Sequence, residues 1–452
     1  MRPRFEALSL SGIIAAGVLL ASACQTAAPA APTPTTAAAA KPAAASPAAA
    51  SPAVAASPAA SPAAAAASPA ASPAASPAAS PAASPAASPA ASPSPSPAAA
   101  SSTTASTTAP AAAAAPISAY SQKLLNDAAM TVDTTKYKKD GPYTIAALTQ
   151  GPGNGWGLTY DVTIRAAADA NPNIKKLIFT PNDGDANKEI SAMEDAISQK
   201  PDAIVLDPLG SAALVAPTSR AMAAGIPVIL CANGIEGDNY VSRVDIDLYQ
   251  AGYQAADALA KGLGGKGNVV MFSGIAGVDA AETWKQAAMD AFKNYPDLKV
   301  VGSEYAQWSV ATSKEKMAAL MAANPQIDGV WAGGGEMALG AALAFQDAGK
   351  PQPRYGFANV LNGFLRLAKE NNLQFTGVPD PPSMSKACLD TAVDVLQGKP
   401  VKKFINVADS MPNSAPYDQT QIDKSYVPQL NDDFVPPAAV DVQSYVTGGF
   451  GR

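Results

Sequence analysis

The sequence predicts an α/β protein with two doubly wound parallel-sheet lobes, preceded by a long disordered tether. From Tyr143 onward, short β-branched apolar runs alternate with helical patterns in the 452-residue chain. This alternation is typical of βαβ units and parallel sheets. The strand-like runs are too numerous for one small sheet, so we expect two similar lobes. The first quarter of the chain lacks such runs and consists mainly of Ala, Pro, Ser and Thr.

The first 24 residues have the pattern of a secretory signal peptide. Arg2 and Arg4 precede an apolar run, which ends in the small residues of Ala21-Ser-Ala-Cys24. The run is too short to be a stable membrane span. A cysteine directly after small residues resembles the lipobox of bacterial lipoproteins, in which the thiol is acylated. We therefore expect a lipoprotein signal peptide at 1–24 and lipid attachment at Cys24; the alternative is ordinary cleavage with Cys24 incidental.

Residues 25–118 form the predicted disordered linker. Lys41 is the only charged residue between Gln25 and Pro116, and a Ser-Pro-Ala-Ala repeat runs from Ser68. Such a composition cannot bury enough apolar surface to offset its ordering entropy, and its prolines favour extended conformations. At about 3.1 Å per residue, the linker could hold a domain up to a few hundred ångströms from its anchor. Ser and Thr next to Pro also make O-glycosylation conceivable.

Charge and composition exclude several function classes. The formal net charge is −6 at pH 7, whereas a nucleic-acid partner would require a basic face. The chain has no histidine, which removes the commonest general base, the usual zinc sites and every Ser-His pair. Besides Cys24 there are only Cys231 and Cys388, too few for a disulfide scaffold. We expect these two to be buried and unpaired rather than bridged.

Two loops that resemble cofactor or metal motifs do not meet the requirements of those sites. The glycine-rich stretch 150–157 contains no Gly-x-Gly-x-x-Gly, so we expect no nucleotide cofactor. The polar stretch 183–187 has part of a calcium loop's spacing, but Lys188 occupies the place that needs glycine. We expect that loop to cap a helix at Asn187 instead, and we predict no metal and no cofactor.

The folded part can be assigned in chain order. Predicted strands lie at 143–148, 176–179, 203–206, 226–230, 268–272, 299–301, 328–331, 355–357 and 375–378. Predicted helices lie at 187–199, before Gly225, at 249–263, up to Tyr295, around 317–320 and 337–343, at 361–371 and at 383–396. The loop Phe272–Trp284 joins a strand to a helix, and ligands of open α/β sheets bind at such carboxyl ends.

Several of these segments together resemble a type I periplasmic binding protein of the ribose-binding kind. They are Gly225-Ile-Pro-Val-Ile229, Gly274-Ile-Ala-Gly277, Ala322-Ala-Asn-Pro-Gln-Ile-Asp-Gly-Val330, Gly335-Glu-Met-Ala-Leu-Gly-Ala341, Asp347-Ala-Gly349 and Leu396-Gln-Gly-Lys-Pro400. The resemblance implies a three-stranded hinge with crossings near Ile246, Gly377 and Val407. Lobe one would then comprise 142–246 and 378–407, and lobe two 247–377 and 408–452, whose tail after Asp409 departs from the family.

The resemblance also implies that a sugar binds between the lobes, with aromatic rings over its faces and polar groups at its edges. Residue by residue, the ligand-binding positions correspond here to Trp156, Asp207, Asn233, Asp247, Ile275, Trp284, Trp308, Gly334 and Asn359. The aromatic positions are Trp156 and Trp308. Asp207 stands where the family has an Asn or Asp that accepts from hydroxyls, and Asp247 matches the family's common carboxylate at the first crossing. Ile275 belongs to the Gly274–Gly277 loop, whose small residues let the backbone approach a ligand.

Other positions depart from the family pattern. Ala232-Asn233 replaces an Asp-Arg pair, Trp284 replaces an arginine, Gly334 replaces an asparagine, and Asn359 lies where an aspartate is usual. Losing two guanidinium groups removes bidentate donors that tryptophan cannot supply. We therefore expect a less ionic and more aromatic pocket, suited to a sugar derivative, a glycoside or another amphipathic polar molecule. Core packing is the alternative for each tryptophan, and we favour it for Trp331, within a predicted strand.

The resulting hypothesis is a lipid-anchored, extracytoplasmic substrate-binding protein of an ABC-type sugar importer, not an enzyme. We expect a monomer whose partners are a carbohydrate-like ligand, the permease subunits and, through its lipid, the cell membrane. The first alternative is a ligand-sensing module for chemotaxis or a sensor kinase. The second is a glycoside-acting enzyme, which would need two carboxylates flanking one bond; in the carried-over site Asp207 is the one clear cleft acid, and Asp279 and Glu282 are distant candidates.

Overall fold

A computed structural model describes residues 117–409, 416–426, 428 and 432–433. The predicted signal peptide, Cys24 and most of the predicted linker lie outside the described residues. The strands are β1 (Thr131–Val132), β2 (Tyr143–Thr149), β3 (Ile174–Pro181), β4 (Ala203–Leu206), β5 (Val228–Cys231), β6 (Ser242–Asp245), β7 (Lys266–Ser273), β8 (Asp297–Tyr305), β9 (Gly329–Ala332), β10 (Arg354–Ala358), β11 (Phe375–Val378), β12 (Val401–Lys402), β13 (Phe404–Asn406) and β14 (Tyr417–Asp418).

The α-helices alternate with these strands along the chain. They are α1 (Ala119–Ala129), α2 (Gly155–Ala170), α3 (Ala186–Gln199), α4 (Val215–Ala223), α5 (Leu248–Gly262), α6 (Asp279–Phe292), α7 (Val310–Ala323), α8 (Gly335–Asp347), α9 (Asn362–Asn371), α10 (Met384–Leu396) and α11 (Ile422–Ser425). No helix within the described segments is long and apolar enough to cross a membrane.

The first lobe is built on a fully parallel sheet with the strand order β13-β6-β5-β4-β2-β3. Helices α2, α3, α4 and α10 pack on it. Because helices cover both faces, the central strands read as continuous apolar runs, and Ile145, Ile204 and Ile229 are completely buried. This explains why β2, β4 and β5 could be located from the sequence.

The second lobe repeats the arrangement with the strand order β14-β11-β10-β9-β7-β8. Strands β7 to β11 are parallel, and β14 joins the edge in the antiparallel direction. Helices α5 to α9 pack on this sheet or on each other. The two parallel-sheet lobes confirm the predicted α/β class.

Cys231 and Cys388 form a disulfide, so the prediction of two unpaired cysteines was wrong. Both residues are fully buried, as expected, but helix α10 packs against β5 and brings their Cα atoms to 5.9 Å. The two cysteines are 157 residues apart in sequence. That proximity depends on the chain returning to the first lobe, which no local pattern reveals.

Helix α1 and strand β6 were not predicted. Ser118 caps α1 by accepting a hydrogen bond from the Ser121 N–H. Strand β6 has the polar sequence Ser-Arg-Val-Asp, yet all four residues are buried. The polar loop before α3 caps that helix as expected, through the side chain of Asp185, and α3 begins at Ala186, one residue before the predicted start.

Candidate functional site

A cavity of about 380 Å³, counting its open mouth, lies where loops of the two lobes meet. Its lining residues are Gln150, Asn154, Trp156, Ala232, Asn233, Trp284, Trp308, Asn359 and Asp380. Gln150, Ala232 and Asn359 each follow directly on a strand, namely β2, β5 and β10. Parallel strands place their carboxyl ends at one edge of the sheet, so both lobes contribute their loop residues to a common crevice.

Two of the cavity tryptophans are held by hydrogen bonds to backbone carbonyls. The Trp156 indole Nε1 donates to the carbonyl oxygen of Asp380 at 2.8 Å, and its ring stacks on Tyr160 with a centroid distance of 5.2 Å. The Trp308 Nε1 donates to the carbonyl oxygen of Gly333 at 2.6 Å. Both rings are therefore fixed in orientation, and both line the cavity.

Trp308 fits in its place because two neighbouring residues have no side chain. A Cβ atom on Gly334 would lie 2.7 Å from Trp308 Cδ1. A Cβ atom on Gly274 would overlap the other side of the indole, lying 2.6 Å from Cδ2 and still closer to Cε2 and Cζ2. The indole is thus held between Gly274, in the loop after β7, and Gly334, in the loop before α8.

Asp207 lies behind the cavity wall and holds two of the lining residues. Its Oδ1 accepts from Gln150 Nε2 at 3.1 Å and from Asn233 Nδ2 at 2.9 Å. The side chain is buried, and this burial raises the pKa of Asp207 well above its ordinary value. Asn233 in turn accepts from the Ala280 N–H at 3.1 Å, which links the first lobe to helix α6 of the second.

Three buried polar atoms on the cavity residues have no hydrogen-bond partner in the described structure: Asp380 Oδ1, Asn359 Oδ1 and Trp284 Nε1. Asp380 is 6% exposed, and burial raises its pKa, with the nearby Asp245, Asp207 and Glu336 carboxyls adding to the rise. Buried polar groups are normally satisfied by protein, water or ligand. Asp380, Asn359 and Trp284 thus each carry one unpartnered polar atom at the wall of the cavity.

Asp380 is the one charged residue among the described residues that line the cavity, so the lining carries no cation. Arg243 is buried against Gly234, next to the lining residue Asn233, and its guanidinium pairs with Asp245 and, at 2.8 Å, with Asp279. Asp279 begins helix α6 of the second lobe and also accepts from Tyr120 and from the Gly234 N–H, at 3.3 and 3.0 Å. Arg243 thus serves a contact between the lobes and not the cavity.

Five of the residues singled out from the sequence line the cavity: Trp156, Asn233, Trp284, Trp308 and Asn359. Asp207 and Gly334 stand behind them, and Ile275 packs against the cluster of Leu209, Val278 and Ala281, as Trp308 does. Asp247 does not line the cavity; it caps α5 by accepting from the Gln250 N–H at 3.1 Å. Trp331 is fully buried in the core, as we favoured.

Gln150, Asn154, Ala232 and Asp380 also line the cavity but were not chosen from the sequence. Gln150 and Asn154 belong to the glycine-rich loop whose position after a predicted strand was the available signal. Asp380 lies in the Pro-Asp-Pro-Pro segment between β11 and α10, next to a predicted crossing. Among the residues whose placement is described, no group of three or more His, Cys, Asp or Glu side chains could hold a metal ion.

Two parallel-sheet lobes that meet around an aromatic cavity define the class of two-lobed solute-binding proteins. A profile of the family described as "Periplasmic binding protein domain" matches residues 145–400, and the chain belongs to this family. Residues 145–400 contain every residue that lines the cavity.

Curated relatives are named as sugar-binding import proteins. The D-apiose import binding protein of Actinobacillus succinogenes is 34% identical over 38% of this chain and 56% of its own length. The chain thus spans little more than half of that relative. The ribose import binding protein of Bacillus subtilis is 30% identical over 51% of this chain and 75% of its own length. Both are named as binding proteins, which agrees with the expectation of a protein without catalysis.

A solved structure from Mycobacterium smegmatis in complex with β-D-fucofuranose is also similar. It superposes with a TM-score of 0.59 at 26% sequence identity, covering 63% of this chain and 93% of that one. The agreement in fold extends over nearly the whole of that protein, so both lobes of this chain have counterparts in it.

Proposed function

We propose that the chain is the substrate-binding protein of an ABC-type importer and captures a neutral carbohydrate or polyol between its lobes. The observation that carries this proposal is the set of unpartnered atoms around the cavity, Asp380 Oδ1, Asn359 Oδ1 and Trp284 Nε1, beside the rings of Trp156 and Trp308. A polyol supplies hydroxyls that donate to the two acceptors and accept from the indole N–H. Its C–H faces pack on the aromatic rings.

The charge of the cavity supports a neutral ligand over an anionic one. The described lining contains a carboxyl and no Lys or Arg. A sugar phosphate or sugar acid would bring a negative charge into the cavity without a guanidinium to pair with, and burying an unpaired charge is expensive. The curated relatives named for apiose and ribose bind neutral sugars, which is consistent with this class.

The proposed lobes are 142–246 with 378–407 and 247–377 with 408–452. The membership of the sheets supports this division, since β2 to β6 and β13 form one sheet and β7 to β11 and β14 form the other. The described tail residues also attach to the second lobe: Asp432 binds Arg366 of α9 and accepts from the Gly363 N–H at 2.9 Å. Capture would proceed by hinge closure, in which the ligand favours the closed population.

The proposed cellular setting rests on the sequence before the lobes. A signal peptide at 1–24, acylation of Cys24 and the linker at 25–118 would place the lobes outside the cytoplasm on a membrane tether. The binding family fits an extracytoplasmic site. The partners would then be the permease subunits of the importer, reached by a monomer on its tether.

Isothermal titration calorimetry with a defined panel tests the proposal. The panel contains D-ribose, D-arabinose, D-fucose, xylitol and myo-inositol, with ribose 5-phosphate, gluconate and adenosine as counter-ligands, and mass spectrometry identifies any compound that co-purifies. We expect micromolar or tighter binding of a neutral sugar or polyol and no binding of the anions. Binding of adenosine or of an anion alone would contradict the proposed ligand class. Labelling of the membrane fraction with a radioactive fatty acid, lost in Cys24→Ala, tests the anchor.

A further inference from the structure

Glu336 connects the two lobes at the edge of the cavity. It lies in the first turn of α8 in the second lobe and is 2% exposed. Its Oε1 accepts a hydrogen bond from the backbone N–H of Trp156 at 3.2 Å, and the N–H of Gly155 also faces the carboxyl. Both donors belong to the first turn of α2 in the first lobe. Its Oε2 accepts from Asn359 Nδ2 at 3.3 Å, within the second lobe.

We propose that Glu336 is the positioning residue that couples closure of the lobes to assembly of the binding cavity, an inference that rests on the proposed ligand capture. Its carboxyl caps the N-terminus of α2 only when the second lobe has closed on the first. The same carboxyl holds the Asn359 amide so that its Oδ1 is left for a ligand.

The first turn of α2 needs this external acceptor. The first N–H groups of a helix have no partner within the helix and carry the positive end of its dipole. The capping residue Asn154 satisfies the Gly157 N–H, which leaves those of Gly155 and Trp156. A carboxyl from the opposite lobe is well suited to them, because helix N-termini favour negative charge.

Two further contacts tie the cavity to this junction. Trp156 is held at both ends, by Glu336 through its backbone N–H and by the Asp380 carbonyl through its indole. Gly155 leaves no room between the lobes: a Cβ atom there would overlap the carbonyl oxygen of Asp433 and lie 2.5 Å from Leu361 Cδ1. Residues 361 and 433 belong to the second lobe in the proposed division, so the close approach at Gly155 is also a contact between lobes.

The energetic balance at Glu336 suits a reversible contact. Burial raises the pKa of Glu336 to about 7, with the negative Asp433 nearby adding to the rise, although the N–H donors oppose it. The donors therefore offset only part of the cost of desolvating the carboxyl. Such a junction can open again and release the ligand.

Glu189 provides a matched control. It is a buried carboxyl, 1% exposed, that accepts from the backbone N–H groups of Leu209 and Gly210 at 2.7 and 3.1 Å and from Asn182 at 3.3 Å. Burial raises the pKa of Glu189 to about 7, as for Glu336. All of its partners lie in the first lobe. Glu189→Gln therefore makes the same chemical change at a carboxyl whose hydrogen-bond donors all lie within one lobe.

The test compares Glu336→Gln, Gly155→Ala and Glu189→Gln with the wild type. Nitroxide pairs on the two lobes give the closed fraction by electron–electron double resonance, without ligand and with the panel sugar that binds the wild type most tightly. We expect Glu336→Gln and Gly155→Ala to lower the closed fraction and to weaken sugar binding roughly tenfold to a hundredfold, the range for a hydrogen bond to a charged group. Glu189→Gln should change neither the closed fraction nor the sugar affinity by more than about threefold, whatever its effect on the free energy of unfolding.

Each outcome decides the inference separately from the proposed function. If the wild type binds a sugar and Glu336→Gln binds and closes as the wild type does, the coupling role is wrong and the binding function stands. If no panel sugar binds but Glu336→Gln and Gly155→Ala still lower the closed fraction of the ligand-free protein, the coupling stands and the ligand proposal fails. A wild type without a closed population in any condition, or an equal loss in Glu189→Gln, would overturn the inference.

Discussion

Replacing Gly274 by alanine should displace Trp308 and weaken ligand binding. The added methyl would lie 2.6 Å from Trp308 Cδ2 and closer to two other indole atoms, whereas carbon atoms pack at about 3.5–4.0 Å. The ring must therefore move by about 1 Å or more. Gly334 also lies close to the indole, at Cδ1, and a movement of the ring strains the hydrogen bond from Nε1 to the Gly333 carbonyl.

The expected magnitude follows from overpacking. Forcing a methyl into a packed region typically costs about 1–3 kcal/mol, and part of that cost falls on the ligand complex because the ring faces the cavity. We expect the free energy of unfolding to fall within that range. We also expect affinity for the best panel sugar to fall about tenfold, which corresponds to about 1.4 kcal/mol.

The assay is a double-mutant cycle with Trp308→Ala, measured by chemical denaturation and by calorimetry. With the ring removed, Gly274→Ala has no indole to displace, so its effect on stability should largely disappear. Gly153→Ala is the control, because a Cβ atom there meets nothing within 4 Å. If Gly274→Ala leaves stability and affinity unchanged, or has the same effect without Trp308, the proposed clash does not exist.

Three further predictions follow from contacts elsewhere. Asp279→Asn removes a charge that pairs with the buried Arg243 of the first lobe, and we expect titrations to show about tenfold weaker sugar binding together with a lower free energy of unfolding. Cleavage of the Cys231–Cys388 disulfide should lower the free energy of unfolding by about 2–5 kcal/mol in denaturant titrations. Burial raises the pKa of Glu189 from 4.5 to about 7. The folded protein therefore holds the Glu189 proton up to a higher pH than the unfolded chain does. This proton binding stabilises the fold fully below pH 4.5, and the contribution is lost as the pH rises to about 7. The fall in stability over that range should be smaller in Glu189→Gln.

Each of these predictions has its own contradicting result. Asp290→Asn is the control for Asp279→Asn, because Asp290 binds Tyr249 on α5 and stays within the second lobe. If both variants lose sugar affinity to the same extent, the contact between lobes does not explain the loss. Two thiols released by denaturation without a reductant would show that the cysteines are not paired. If the free energy of unfolding depends on pH in the same way in the wild type and in Glu189→Gln, the raised pKa of Glu189 is contradicted.

The buried apolar strands could be predicted from sequence, whereas β6 could not. Strands β2, β4 and β5 show continuous apolar runs because helices cover both faces of their sheet. Strand β6 is equally buried, but its Arg243 is neutralised by Asp245 and by Asp279 of the other lobe, and Ser242 donates to the Lys402 carbonyl. A polar strand of this kind is stabilised by distant partners, and no local periodicity reveals them.

The aromatic part of the site was predictable in a way that its polar part was not. Trp156 and Trp308 stood in loop-like contexts after strands, and both line the cavity. The absence of a side chain at Gly334 was identified only as a departure from the family, whereas the structure shows that it makes room for Trp308. Asp247 was chosen by its place in the chain and proved to cap a helix. The sequence identifies the residue types, but the direction of each side chain depends on the packing of both lobes.

Asp380 best illustrates why a binding site carries groups that the fold alone would not favour. Its carboxyl is buried with one oxygen unpartnered, near the carboxyls of Asp245, Asp207 and Glu336, and all of these raise its pKa. Burying this carboxyl therefore opposes folding, while ligand hydroxyls would be the partners it lacks. We predict that Asp380→Asn increases the free energy of unfolding and at the same time weakens sugar binding about tenfold, the upper end of the range for one lost hydrogen bond.

Asp161→Asn separates the two effects. Asp161 is also buried in the first lobe, on α2, and burial raises its pKa to about 7, but it does not line the cavity. Its replacement should stabilise the protein and leave affinity unchanged. If Asp380→Asn raises the free energy of unfolding but weakens sugar binding, while Asp161→Asn raises only the free energy of unfolding, then Asp380 is retained because it binds the ligand. If Asp380→Asn destabilises the fold or binds sugar as tightly as the wild type, Asp380 is instead a structural group, and the ligand must find its acceptors elsewhere in the cavity.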